Sequence, residues 1–141
     1  MATAEIIYQG NLRTEMKHSK SGTIIQTDAP TDNHGKGELF SPTDLAATSL
    51  AACMITMMGI AANNHSFVLG KIKAEINKIM APNPRRIDTI QVKLHFPQQE
   101  YSEKQKEILK KVALNCPVAK SLHPDLIQDI TFEFEAANPF A

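Results

Sequence analysis

The order of apolar patterns along the chain predicts an α+β fold. Three observations carry that reading. The first third holds short β-type runs separated by turn signals. An uncharged stretch, LAATSLAACMITMMGIAANN, runs from Leu45 to Asn64. Beyond it, two alternating runs are followed by an amphipathic helical pattern and a last strand. At 141 residues the length suits one domain, 1–141, with no repeat and no second core.

The elements follow in order. Residues 4–8 and 12–18 read as strands, and the Ser21-Gly22 turn signal introduces a third at 23–27, giving an N-terminal β-meander. Residues 29–37, APTDNHGKG, are all turn formers and polar residues and make a loop. Ser41 then offers an N-cap, Pro42 fits the first helical position, and Asp44 completes a capping-box-like arrangement. The uncharged stretch that follows is long enough to span a bilayer. Thr48, Ser49, Thr56, Asn63 and Asn64 dilute it, however, and a helix apolar on every side also suits the centre of a globular protein. It is read as a long buried central helix, partly covered by a partner subunit.

Residues 67–80 alternate, with Val68, Gly70, Ile72, Ala74, Ile76 and Lys78 on one parity and Lys71, Lys73, Glu75 and Asn77 on the other. Pro82-Asn83-Pro84 turns the chain into a second alternating run, 87–96, so the two form a β-hairpin. Residues 101–115 form a second helix, capped by Ser102 with Gln105 at the capping-box position and striped by Ile108, Leu109, Val112 and Ala113. That helix is broken at Cys116-Pro117, which opens a short turn running to Leu122, and His123-Pro124 stops it. Residues 127–135 form the final strand, with Ile130, Phe132 and Phe134 on one face.

Composition narrows the function. Lys+Arg and Asp+Glu number 15 each, for a net charge of +0. That balance argues against nucleic-acid backbone binding and gives no pull toward an anionic membrane. It also leaves two copies of the chain free of mutual repulsion. The amino-terminal residues show no basic segment leading into an apolar run, so a cytoplasmic, reducing location is expected. The two cysteines form no CxxC, and no His has a spaced partner, so no metal is expected. Neither a GxGxxG nor a P-loop occurs, and no nucleotide cofactor is expected.

The two cysteines, Cys53 and Cys116, are either inert core residues or the seat of the chemistry. Cys53 lies between Ala51-Ala52 and Met54 in the apolar helix, where burial would keep a thiol protonated. Cys116 stands at a helix start, where the backbone amides would acidify it. On local sequence alone Cys116 is the more acidic thiol and Cys53 an inert one. Met54, Met57 and Met58 read as packing residues around a site or a subunit seam.

Two motifs change the weight given to these thiols. Ser41-Pro42-Thr43-Asp44-Leu45 with Cys53 downstream, and Asn115-Cys116-Pro117-Val118-Ala119-Lys120-Ser121-Leu122, resemble the OsmC/Ohr family of peroxide-detoxifying proteins. The match is nearest its OsmC-like subgroup, and the element order agrees over nearly the whole chain. The resemblance implies an OsmC-like fold in an intertwined homodimer. It also implies a thiol peroxidase for organic hydroperoxides or hydrogen peroxide, serving oxidative and osmotic stress defence. Cys53 would be the peroxidatic cysteine and Cys116 the resolving one, joined as a disulfide and reset by an external dithiol reductant, with no cofactor. Better-known members carry an Arg before the central helix, paired with a Glu, to stabilise the thiolate. Here loop 29–40 has no Arg, and Asp44 and Glu38 are the candidate supporting acids. Nine residues at about 100° each put Asp44 on the helix side opposite Cys53, which favours its capping role. Arg13, or Lys36 of the partner subunit, is left as the candidate cation. The alternative function is a small-molecule-binding or redox-sensing protein with an apolar cleft around Met57 and Met58 and little turnover.

Overall fold

The computed structural model describes residues 1–97 and 100–135. The chain falls into two compact units, Met1–Ala46 and Ala47–Ala141. The α+β class and the order of elements agree with the sequence reading.

The first unit holds an antiparallel meander, β1 (Ala4–Gly10), β2 (Arg13–His18) and β3 (Ile24–Asp28), in the order β1-β2-β3. Leu12 does not start β2. With Asn11 it forms the two-residue hairpin turn, both at positive φ (54° and 65°), the conformation that matches the twist of the flanking strands. The register sets Ile6 opposite Met16 and Met16 opposite Ile25, so the three share one face. Ile6 and Ile25 remain 63% and 49% exposed. After β3 the loop folds on itself around one 3-10 turn, Thr31–Asn33. The amides of Gly35 and Gly37 donate to the carbonyls of Pro30 (2.9 Å) and Ala29 (3.2 Å). A Cβ on Gly35 would lie 1.8 Å from the Ala29 carbonyl oxygen, so a side chain there would force the loop open.

The long helix α1 (Pro42–Asn64) starts as expected. The Ser41 hydroxyl accepts from the Asp44 amide, and the Asp44 carboxylate accepts from the Ser41 amide, both at 3.0 Å. By length and apolar composition α1 could cross a membrane, yet its Leu50, Met54 and Met58 are fully buried in the protein core.

In the second unit β4 (Lys73–Ala81), β5 (Arg86–Phe96) and β6 (Ile127–Phe134) form one sheet in the order β4-β5-β6. β4 and β5 are the expected hairpin. β6 runs parallel to β5, and the crossover this requires is supplied by α2 (Glu103–Leu114) and α3 (Pro117–Ser121). Ile90, Val92, Leu94 and Phe96 of β5 pack in one core with Leu50, Met54 and Met58 of α1 and Leu109 and Ala113 of α2. The capping box at Ser102 is complete, with both reciprocal bonds to Gln105 formed.

One element differs from the sequence reading. Residues 67–72 are not strand, and Val68, assigned there to the buried parity, is 72% exposed. The end of α1 explains this. Ser66 takes a positive φ of 57°, the Phe67 amide returns to the Ala62 carbonyl at 3.0 Å, and the Gly70 amide is held by the Tyr101 hydroxyl at 3.2 Å. The segment is spent on leaving the helix, and pairing with β5 begins only at Lys73.

Candidate active site

Cys53 lies midway along α1 and is half-buried, while Cys116, the N-cap of α3, has no exposed surface. The two belong to one packed cluster, and both thiols are free. The side chain of Cys116 is in hydrogen-bonding reach of that of Cys53. The fold thus brings together two residues that are distant in sequence.

The electrostatics run against the acidic Cys116 read from local sequence. Burial pushes the Cys116 thiol up, and the Cys53 contact adds to the rise, both through the hydrogen bond and because charge on Cys53 opposes charge on Cys116. Backbone amides of Ala119 and Val118 work the other way without prevailing. The Ala119 amide donates to the Cys116 sulfur at 3.4 Å. The helix start is therefore real, but desolvation outweighs it. Cys116 is not the acidic thiol, and Cys53 is not a sealed core residue. No signal in the sequence around Cys116 reports its depth, which comes from its place in the core cluster.

Three side chains bond around α3: Asn115 and Ser121, which belong to the second motif, and Gln128, which lies outside it. The Gln128 amide of β6 donates to the Ala119 carbonyl at 2.9 Å. The Ser121 hydroxyl returns to the Pro117 carbonyl at 2.8 Å. The Asn115 amide closes the end of α2 on the Lys111 carbonyl, also at 2.8 Å. They lie on either side of Cys116 and within the helix that it starts.

The other candidate residues have defined places. Asp44 closes the α1 cap. Within the first unit, Arg13 makes a two-pronged pair with the buried carboxylate of Asp28, at 2.7 and 2.8 Å, and lies 3.6 Å from Glu38. The Arg13 guanidinium holds the Asp28 carboxyl below its usual range; burial opposes this, and the amides of Glu38 and Leu39 assist it. Arg13 is correspondingly raised, first by its hydrogen bond to Asp28. Sequence reading missed Asp28, whose only local signal is its place at the end of a strand. Of the two residues expected at an apolar cleft, Met58 is fully buried in the core with Met54, and Met57 is half-buried against it. A cavity of about 400 Å³ lies elsewhere, lined by Glu75, Asn77, Gln91, Lys93, Asp129 and Thr131 of the sheet. Among the described residues no group of three His, Cys, Asp or Glu is placed to hold a metal ion.

Residues 35–130 match the family model described as OsmC-like protein. The chain belongs to this OsmC-like family. A crystal structure from Psychrobacter arcticus 273-4, described provisionally as an osmotic stress induced and detoxification response protein, is 48% identical. That match covers 94% of this chain and 96% of the other, at a TM-score of 0.89. The OsmC organic hydroperoxide resistance protein of Legionella pneumophila is 16% identical over 96% and 98% of the two chains, with a TM-score of 0.70. An organic hydroperoxide resistance protein from Elizabethkingia anophelis is 12% identical over the same shares, with a TM-score of 0.73. These last two likenesses establish a shared OsmC-like fold. Among curated proteins the chain has no match.

Proposed function

We propose that this OsmC-like protein is a thiol-dependent peroxidase for organic hydroperoxides or hydrogen peroxide, acting in stress defence in the cytoplasm. The observation that carries the reading is the contact between two free thiols of unequal burial, Cys53 and Cys116. The Cys53 thiolate attacks a peroxide oxygen. The O–O bond breaks, an alcohol or water leaves after protonation, and Cys53 becomes a sulfenic acid. The Cys116 sulfur then displaces that hydroxyl as water, giving the Cys53–Cys116 disulfide. An external dithiol returns both thiols and leaves oxidised, so the cycle needs no metal, flavin or haem.

The active form is an intertwined homodimer. Ser49, Ala52, Thr56 and Ile60 form an uncovered stripe along α1, and Ile6 and Ile25 an uncovered patch on the N-terminal sheet. A net charge of +0 sets no repulsion between copies. Asp44 and Glu38 have structural partners of their own, so the catalytic assignment is confined to the two cysteines.

The test is hydroperoxide consumption with a dithiol by the parent and by Cys53→Ser. Loss of turnover is expected; a variant as fast as the parent overturns the assignment. A second reading, a redox sensor or binding protein with little turnover, draws on the absence of Arg from loop 29–40 and on the engagement of Arg13 by Asp28. It is favoured if stoichiometric hydroperoxide forms the disulfide but excess hydroperoxide is not consumed.

A further inference from the structure

The proposed cycle, on which this inference rests, ends with a disulfide whose two sulfurs are not equivalent. Cys116 has no exposed surface in a single chain, whereas Cys53 is only half-buried. Association with a second copy adds cover and removes none, so any assembly leaves Cys116 at least as enclosed. The Cys116 sulfur also has a donor in place, the Ala119 amide at 3.4 Å, and the carbonyl of the same residue is anchored by Gln128. Thiol–disulfide exchange needs an approach to the sulfur under attack and a leaving sulfur able to carry charge. The enclosed Cys116 sulfur fails the first requirement. Burial also makes it the costlier leaving sulfur, but a sulfur that cannot be approached cannot be attacked, so access decides the direction.

We infer that the reductant enters at the Cys53 sulfur and that Cys116 is the leaving group, so the cycle passes through a mixed disulfide on Cys53. In the balanced step a reductant thiolate forms an S–S bond to Cys53, the Cys53–Cys116 bond breaks, and its electron pair stays on Cys116, which then takes a proton. The second thiol of the same dithiol displaces Cys53 and leaves as the cyclic disulfide. A monothiol lacks that second step, and its adduct faces return attack by the neighbouring Cys116. The geometry therefore assigns Cys53 both half-reactions with external molecules and Cys116 only the internal one.

The experiment starts from the parent protein oxidised with diamide, which forms the disulfide without peroxide turnover. A large excess of cysteamine is added, the reaction is quenched in acid within seconds, free thiols are alkylated, and the peptides are mapped by mass spectrometry. The expected result is a roughly tenfold or greater excess of cysteamine adduct on Cys53, with Cys116 alkylated. Adduct mainly on Cys116 overturns the inference and leaves the peroxidase reading standing. As a second measurement, Cys116→Ser and Cys53→Ser are each exposed to cystamine. Adduct formation on Cys53 of the first, at least about tenfold faster than on Cys116 of the second, supports the inference; equal rates overturn it. If diamide forms no Cys53–Cys116 disulfide, the peroxidase cycle itself fails.

Discussion

Gln128 of β6 donates its side-chain amide to the carbonyl of Ala119 at 2.9 Å, tying the short helix that begins at Cys116 to the sheet. The bond couples the last strand to the position of one sulfur. Removing it in Gln128→Leu should cost about 1 kcal/mol of stability. A merely structural role would stop there. A positioning role also slows disulfide formation after a peroxide pulse, leaving Cys53 sulfenic acid to accumulate. Trapping with a sulfenic-acid reagent measures this, and Gln128→Asn should not fully restore the rate, because its shorter side chain withdraws the amide.

Cys116→Ser should leave the first chemical step intact and remove the second. Excess hydroperoxide is then expected to carry Cys53 past the sulfenic acid to the sulfinic acid, visible as the gain of two oxygens in the intact mass. The parent under the same treatment should lose two hydrogens instead. Equal over-oxidation of both proteins would show that Cys116 does not protect its neighbour.

The Arg13–Asp28 pair predicts an acid-labile contribution to stability. The Asp28 carboxyl is lowered from a usual 3.8 by the hydrogen bond to Arg13, so the folded form binds its proton less readily than the unfolded one. The stabilisation is accordingly full above about pH 4 and is lost as pH falls toward the lowered folded value. Asp28→Asn should reduce the denaturation midpoint at neutral pH. It should also narrow the difference between that midpoint and the one at about pH 3. An unchanged difference would mean that the pair does not contribute to stability.

The proposed dimer makes a simpler demand. Sedimentation at micromolar concentration should give a mass twice 15.6 kDa. Ala52→Glu, which sets a charge in the uncovered stripe of α1, should shift it toward the single-chain mass without unfolding the protein, as judged by circular dichroism. A parent of single-chain mass would refute the assembly.

Much of the fold was readable because it rests on short-range rules. Ile90, Val92, Leu94 and Phe96 alternate because a strand does, and Ser102 and Gln105 cap α2 through bonds made within one turn. The same rules failed at residues 67–72, where alternation is present but the end of α1 consumes the segment. They were silent on the parallel pairing of β6, which no local pattern encodes. The two cysteines were legible as a pair through their motifs, but the upward push on the Cys116 thiol was not. It depends on how deeply Cys116 is enclosed, and that depth is set by long-range packing.

The enclosure of Cys116 also bears on how the proposed redox pair would trade electrons with its surroundings. In the proposed cycle the Cys116 sulfur exchanges electrons only with Cys53, so each chain would store two electrons and return them through a single outlet. A dimer would be two such stores side by side, and its redox titration should follow a two-electron curve per chain.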